Sequence, residues 1–241
     1  MGRIRIGPSG WNYEGWRGGF YPDDLPKSRE LEHYVTVFDT VEINGTFYGT
    51  PSETVVRGWY ETAPEGFLYA VKGNRYLTHN IKLKDAADSV RYQRDALEPL
   101  REKLGPVLWQ LSEHFHADLE RLADFLPLRE QGERWAFEFR HESWFCQEVY
   151  ALLREHDCAL VWADTPDYPL HLEVTADWLY CRLHGHEVLY VSPYDDRQLG
   201  WWKARINEAS EGRRDSFVYF DNDSKGHAPR DALRLREMLQ S

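Results

Sequence analysis

Polar side chains suited to acid/base and anion-binding chemistry recur in this sequence at the ends of short apolar segments. Glu42 and Glu138 are carboxylates that could exchange protons with a substrate, and His184 is a second proton carrier. Guanidinium and ammonium groups in the same set are suited to an anion, since a guanidinium binds carboxylate or phosphate through two hydrogen bonds. These cations are Lys72, Arg140 and Arg182, and the other members of the set are Asn44, Gln110, Asp164 and Asp221.

The spacing of these residues predicts that they share one site. Side chains alternate between the two faces of a strand, so residues two apart point the same way. The pairs at this spacing are Glu42 with Asn44, Glu138 with Arg140, and Arg182 with His184. Their apolar neighbours would then face a layer of helices.

The elements that must position this set are eight apolar segments, which are rich in β-branched and aromatic residues and are predicted as strands. Strand–helix alternation repeated along the chain predicts a parallel sheet. Eight strands in 241 residues fit a single-domain (β/α)8 TIM-type barrel over residues 1–241 better than a doubly wound sheet. The predicted strands are Ile4–Gly7, Thr40–Asn44, Phe67–Lys72, Pro106–Leu111, Trp135–Arg140, Ala159–Asp164, Trp178–His184 and Phe217–Asp221.

Helical patterns lie between most of these strands. The interval Thr165–Asp177 holds two prolines and is short, so the helix between strands six and seven is predicted to be poorly formed or missing. The predicted helices are Glu30–Phe38, Ser52–Tyr60, Ser89–Leu104, Asp118–Leu126, Gln147–His156, Gln198–Ala209 and Pro229–Leu239.

The charge balance of the polar set narrows its chemistry. Three cations against the four carboxylates, with His184 neutral, sum to −1. A two-metal hydrolase would need an excess of carboxylates and histidines, so no cofactor is favoured, and a divalent metal stays open as an alternative. The same near balance fits a structural ion-pair network, because buried charges are costly unless paired. We favour a functional pocket, since a barrel interior is normally filled with Val, Ile and Leu.

Two loops carry further candidates. Trp11 follows strand one in an aromatic loop that either stacks on a sugar or base or plugs the barrel. Asn222 and His227 flank a Lys-Gly pair before the last helix, which is typical of an anion site or of an ordinary capping turn. His184 and His186 have a spacing found in metal sites, although two histidines are weak evidence alone.

Composition limits the partners. With 29 basic and 40 acidic residues the formal net charge is −11, which disfavours nucleic acid, although a local basic site stays open. No apolar stretch approaches 18 residues, so we expect no membrane partner. Three cysteines without ligand spacing and a charged N-terminal segment lead us to expect a cytoplasmic protein. The sequence leaves the oligomeric state open.

Several segments together resemble the family known as domain of unknown function 72 (DUF72). They are GPSGWNYEGWRGGFYP, TVEINGTFYGTP, AVKGNRYLTH, FEFRHESW, RLHG and YFDNDSKGHAPRDALRL. The resemblance extends over nearly the whole chain and implies a TIM-type barrel but supplies no reaction. Pro8 departs from the family pattern, which has a small residue such as Thr or Cys there. The family's signature positions fall on Ser9, Gly10, Trp11, Glu42, Asn44, Phe47, Tyr48, Lys72, Glu138, Arg140, Ser143, Trp144, Arg182, His184, Gly185, Asn222, His227 and Ala228.

We therefore predict an enzyme with hydrolase-like acid/base chemistry on a small anionic, hydroxyl-rich substrate, such as a sugar phosphate or nucleotide fragment. The alternatives are a glycosidase, a nucleic-acid-processing or nucleic-acid-binding barrel, and a non-catalytic binding or scaffold module. The catalytic candidates are Glu42, Glu138 and His184. The substrate-binding candidates are Trp11, Asn44, Tyr48, Lys72, Arg140, Asp164, Arg182, Asn222 and His227.

Overall fold

Eight parallel strands form the wall of a barrel in the computed structural model, which describes residues 2–240. Each strand pairs with its neighbour in sequence from β2 to β8, and β8 pairs with β1. A bridge between Ser9 and Glu42 joins β1 to β2, so the chain forms the predicted (β/α)8 TIM-type barrel. The strands are β1 (Ile4–Pro8), β2 (Thr40–Ile43), β3 (Leu68–Lys72), β4 (Leu104–Gln110), β5 (Trp135–Glu138), β6 (Ala159–Asp164), β7 (Leu179–Leu183) and β8 (Ser216–Phe220).

A glycine permits the close approach of β1 and β2. A Cβ atom on Gly7 would lie 2.4 Å from the carbonyl oxygen of Thr40 and 2.8 Å from Oη of Tyr34. No side chain fits at these distances, so a larger residue at this position must open the seam that closes the barrel.

Helices cover the outside of the barrel, and two clusters of buried apolar side chains lie between them and the strands. A third cluster fills the barrel interior, where small residues such as Ala70 face large ones such as Phe217 and Tyr219. No helix within residues 2–240 combines the length and apolar composition that a bilayer crossing requires. The helices are α1 (Glu30–Val37), α2 (Gly45–Tyr48), α3 (Glu53–Thr62), α4 (Ala87–Leu97), α5 (Leu119–Phe125), α6 (Gln147–Glu155), α7 (Asp196–Ser210) and α8 (His227–Gln240).

The helices of the structure differ from the predicted ones in three respects. The helix predicted over Ser89–Leu104 ends at Leu97 and continues as a 3-10 segment, because Pro99 lacks the amide hydrogen that an α-helix would use there. The single-turn helix α2 was not predicted. Helices α4, α7 and α8 each begin two residues before their predicted starts. The predicted missing helix between β6 and β7 is confirmed, since residues 165–178 contain none.

Candidate active site at the carboxyl end of the barrel

Arg182 lies at the centre of a buried charged cluster at the end of β7. Its Nη2 donates to Oε1 of Glu42 at 2.7 Å and to Oδ2 of Asp221 at 2.9 Å. Its Nη1 donates to Oε2 of Glu138 at 2.6 Å and lies 3.2 Å from Nε2 of His184. One guanidinium therefore joins three carboxylates that come from β2, β5 and the residue after β8.

The arrangement of these charges fixes their protonation. Burial would raise the pKa of Glu138, but the charges of Arg182 and Arg140 hold it well below its ordinary range. Burial also acts on Asp221, whose pKa is lowered by Arg182 and His184. Both carboxylates are thus ionised at neutral pH. Glu138 in this state can accept a proton or orient a partner, and it has no proton to donate.

Glu42 is saturated with hydrogen-bond donors. It accepts from the hydroxyl of Ser9, from Oη of Tyr180 at 2.6 Å and from Arg182. The Ser9 hydroxyl in turn accepts from Nδ2 of Asn44 at 2.8 Å. Glu42 is fully buried, so these contacts suit it to positioning the guanidinium.

Arg140 extends the cluster toward solvent. Its Nε donates to Oε1 of Glu138 at 2.9 Å, and its guanidinium lies 4.6 Å from the ring centre of Tyr168. Its Nη2 is 3.5 Å from Oη of Tyr190, which has a positive φ of 63°. Such a backbone conformation is uncommon for an aromatic residue and is often found at functional sites. Arg140 is thus held by one carboxylate and two aromatic side chains.

Among the described residues, Lys72 forms no ion pair with a carboxylate, unlike Arg140 and Arg182. Its Nζ lies 4.4 Å from the ring centre of Phe47, and no carboxylate within residues 2–240 forms an ion pair with it. Burial and the charge of Arg182 lower the pKa of Lys72 to about 8. The partly buried ammonium at the end of β3 is therefore available to an incoming anion.

His79 stands beside this lysine and was missed in the sequence. Its ring lies 5.2 Å from that of Phe47. Burial, together with the charges of Lys72, Arg140 and Arg75, lowers its pKa to about 4, so the imidazole is neutral at pH 7. Three positive charges therefore act on one neutral imidazole at this edge of the mouth. Two signals in the sequence could have indicated His79: its place after strand three, and its position at the end of the segment AVKGNRYLTH.

Asp223 differs from Glu138 and Asp221 in that its pKa is raised and theirs are lowered. Burial and the charge of Asp221 raise the pKa of Asp223 well above its ordinary range. One of its oxygens, Oδ1, has no hydrogen-bond partner among residues 2–240. The side chain therefore holds a proton at a pH where an ordinary aspartate is ionised, and it can donate that proton. Asp223 was not among the predicted site residues, although it lies two positions after Asp221. Its burial, which raises its pKa, is visible only in the folded barrel.

The structure does not bring Asp164 into the cluster, although it was predicted there. Its Oδ2 accepts from Nε1 of Trp202 at 2.9 Å, and its Oδ1 lies 3.0 Å from Nδ1 of His186. Asp164 is in register with Leu183, and both face the helix layer. The prediction assumed the opposite face because it relied on position at a strand end.

Four other predicted binding residues lie around the cluster with different surroundings. Asn222 is fully buried and donates to Ser192 and Asp231, a structural position that faces away from Arg182. His227 accepts from Arg230 at the start of α8. Trp11 packs edge-on against Trp59 of α3 at 5.9 Å, and Tyr48 is 79% exposed after β2.

His184 and His186 serve different surroundings. His184 Nδ1 lies 3.0 Å from Oδ2 of Asp221 inside the barrel, whereas His186 bonds to Asp164 outside it. The two rings therefore do not share a site. Over the described part of the chain, no group of three or more His, Cys, Asp or Glu side chains is placed to hold a metal ion.

Comparisons with known proteins place this barrel among close structural relatives. A family model described as protein of unknown function DUF72 matches residues 5–241. The UPF0759 protein YunF of Bacillus subtilis is 28% identical over 269 residues, which cover 98% of this chain and 94% of YunF. The crystal structure of a DUF72 family protein from Thermotoga maritima is 30% identical, with a TM-score of 0.89 and coverage of 99% and 100%.

A more distant structure shares the fold alone. The crystal structure of a GH5_18 variant from Bifidobacterium longum, in complex with Manβ1-4GlcNAc, has a TM-score of 0.56 and 12% identity. It covers all of this chain, and this chain covers 78% of it.

Proposed function

Since this chain belongs to the DUF72 family, whose Thermotoga maritima member shares the whole barrel, we propose that the barrel mouth is the active site of an enzyme. It acts by acid/base chemistry on a small anionic, hydroxyl-rich substrate. A sugar phosphate or nucleotide fragment is the class that fits, and hydrolysis of its phosphoester or glycosidic bond is the reaction. The observation that carries this proposal is the ammonium of Lys72, which no carboxylate of the described chain pairs with.

In a purely structural network we would expect this lysine to form a direct ion pair with one of the nearby carboxylates, Glu138, Asp221 or Glu42. Buried charges are stable when paired, as Arg182 is with three carboxylates and Arg140 is with Glu138. Lys72 faces the same cluster without such a contact, and burial has lowered its pKa. The cost of holding a partly desolvated cation is offset when an anion binds to it.

The surrounding side chains supply the remaining roles. Lys72 and Arg140 bind the anionic group of the substrate, with Arg140 held in place by Glu138. Asp223 is the general acid, since its raised pKa lets it carry a proton that an ordinary aspartate would have lost. His184, 3.0 Å from Asp221, exchanges protons with the substrate or with bound water. Glu42 positions Arg182 and does not itself touch substrate.

A thermal-denaturation screen tests the proposal with ribose 5-phosphate, AMP, cellobiose and a short single-stranded oligonucleotide. A ligand at about 100 times its Kd stabilises the folded state by about 2.7 kcal/mol. We expect a shift with the two phosphorylated compounds, which Lys72→Met removes. The matched control is Lys84→Met, at an exposed lysine away from the cluster, and it keeps the shift.

Other outcomes overturn the proposal. A shift with cellobiose alone favours the glycosidase alternative, and a shift with the oligonucleotide alone favours a nucleic-acid barrel. If no phosphorylated compound shifts the transition, or if Lys72→Met keeps the shift, the mouth is not the anion site. Phosphate or sugar release from the stabilising ligand then measures the reaction itself.

A further inference from the structure

We propose that a second ligand site lies beside the barrel mouth and binds a small planar molecule that carries a carboxylate, such as an aromatic acid. The site is a cavity of about 360 Å³ between α7 and the segment that joins β6 to β7. This volume lies in the range of pockets for small organic molecules, about 300–1,000 Å³. Its lining includes Asp164, Leu170, His186, Arg197, Trp201 and Trp202.

A buried carboxylate orients the histidine of this cavity. Asp164 is 4% exposed, and its two oxygens contact Nε1 of Trp202 and Nδ1 of His186. The His186 ring is thereby held by Nδ1, and its Nε2 is left for a ligand. This arrangement accounts for two features that the mouth does not use, the outward side chain of Asp164 and the second histidine of the His-Gly-His sequence.

The hydrogen-bonding groups that line the cavity indicate the chemical class of the ligand. Both oxygens of Asp164 are engaged, so the carboxylate offers no free acceptor. Arg197 is exposed, and no ion pair or hydrogen bond engages its guanidinium within residues 2–240. A free guanidinium binds a carboxylate through two parallel hydrogen bonds. A neutral sugar would instead need acceptors as well as donors from the wall.

The apolar side of the cavity indicates the shape of the ligand. Trp201 is 44% exposed and packs edge-on against Trp202, with ring centres 5.1 Å apart. Leu170, also exposed in part, lines the same cavity. An indole next to an aliphatic side chain favours a flat ring that stacks against it. A ring with a carboxylate at one end satisfies both the wall and Arg197.

The segment between β6 and β7 separates this cavity from the mouth. Tyr168 lies on the mouth side, 4.6 Å from the guanidinium of Arg140, whereas Leu170 faces the cavity. His184 and His186 are divided in the same way by the end of β7. The proposal of a second site is therefore independent of the enzymatic role proposed for the mouth.

Fluorine NMR of 4-fluorobenzoate mixed with the full-length protein tests the site. We expect a Kd of about 1 mM, which corresponds to about −4.1 kcal/mol and lies within the usual range per atom for a ligand of this size. Binding of this strength broadens the fluorine signal measurably. We expect saturable broadening, at least tenfold weaker binding in Trp201→Ala and in Arg197→Met, and unchanged binding in Lys72→Met and Lys84→Met. Neutral 4-fluorobenzamide should bind at least tenfold more weakly than the carboxylate.

Three results overturn the proposal. One is the lack of broadening at about 10 mM ligand, ten times the expected Kd. Another is equal binding of the neutral amide, which removes the argument for a carboxylate. The third is binding that is lost in Lys72→Met and kept in Trp201→Ala, which places the ligand in the mouth. Thermal unfolding of each variant shows whether it is folded before its binding is interpreted.

Discussion

Arg182 and Glu138 share a hydrogen bond of 2.6 Å, and their side chains are 0% and 2% exposed. They come from β7 and β5, which β6 separates in the sheet. The bond therefore crosses the barrel interior and links strands that no backbone ladder joins. Because Arg182 also contacts Glu42 and Asp221, one side chain ties together four parts of the barrel wall.

Replacing this arginine should be strongly destabilising. Arg182→Met leaves three buried carboxylates without their shared cation, and breaking a buried ion pair costs about 3–5 kcal/mol. Denaturant unfolding measures the loss. Arg91→Met is the control, since Arg91 pairs with Asp88 at the surface and should change stability by less than about 1 kcal/mol.

A second variant keeps the prediction testable if Arg182→Met does not fold. Adding Glu42→Gln to Arg182→Met removes one orphaned charge, so it should recover part of the lost stability. If Arg182→Met is as stable as the surface control, the guanidinium is not what holds these strand ends together.

Strand–helix alternation predicted the barrel, and the alternation of side chains along a strand predicted that Glu42, Glu138 and Arg182 face its mouth. Asp164 was placed only by its position at a strand end. Its alternation with Trp162, which packs in the cluster between strands and helices, puts Asp164 on the helix side. The sequence also could not show that no carboxylate of the described residues pairs with Lys72, or that the pKa of Asp223 is raised. The first depends on contacts between elements far apart in sequence, and the second on the burial of Asp223 beside Asp221.

Stability at acid pH should depend on Glu138. Its folded pKa lies well below the ordinary 4.5, so its charge stabilises the fold above that pH. As the pH falls below about 4.5 the unfolded chain takes up a proton first, and this stabilisation is lost toward the folded pKa. We expect Glu138→Gln to cost about 3 kcal/mol at pH 7 and progressively less below pH 4.5.

Unfolding by urea between pH 7 and pH 3 measures this difference. Glu208→Gln is the control, because Glu208 pairs with Arg205 on the exposed face of α7. Its effect should be small at every pH. If the difference in unfolding free energy between wild type and Glu138→Gln stays constant down to pH 3, the lost hydrogen bonds matter and the charge does not.

The opposite pH dependence is expected of Lys72. Below pH 8 its ammonium is charged in both states, and the folded state bears the whole cost of its burial. Between pH 8 and the ordinary 10.5 the folded protein releases the proton first, so stability rises with pH. Lys72→Met should therefore be about 2 kcal/mol more stable than wild type at pH 7, after allowance for partial exposure and the lost contact with Phe47.

That advantage should shrink as the pH approaches 10.5, which denaturant unfolding at pH 7, 8.5 and 10 can follow. Lys84→Met provides the comparison at an exposed position. A Lys72→Met variant that is less stable than wild type at pH 7 would mean that the ammonium has a stabilising partner. If Lys72→Met is more stable than wild type and no longer binds the ligand, Lys72 shows the pattern expected of a residue that is retained for function.

Asp223 should destabilise the wild-type fold at neutral pH. Its folded pKa is well above the ordinary 3.8, so above pH 3.8 the unfolded chain releases a proton that the folded chain retains. Stability then falls as the pH rises, until the folded carboxyl ionises. Asp223→Asn keeps the shape of the neutral carboxyl, and each unit of the raised pKa is worth about 1.4 kcal/mol. The variant should match wild type near pH 3 and exceed it at pH 7.

The same substitution separates stability from catalysis. An amide cannot donate the proton that the proposed reaction needs, and loss of a general acid typically costs about 10²–10⁴ in rate. Asp223→Asn should thus be more stable and far less active on whichever phosphorylated compound the screen identifies, while still binding it. Asp167→Asn, at an exposed aspartate after β6, should change neither property. Full turnover by Asp223→Asn would assign the proton donor to another group at the mouth, with His184 the next to test.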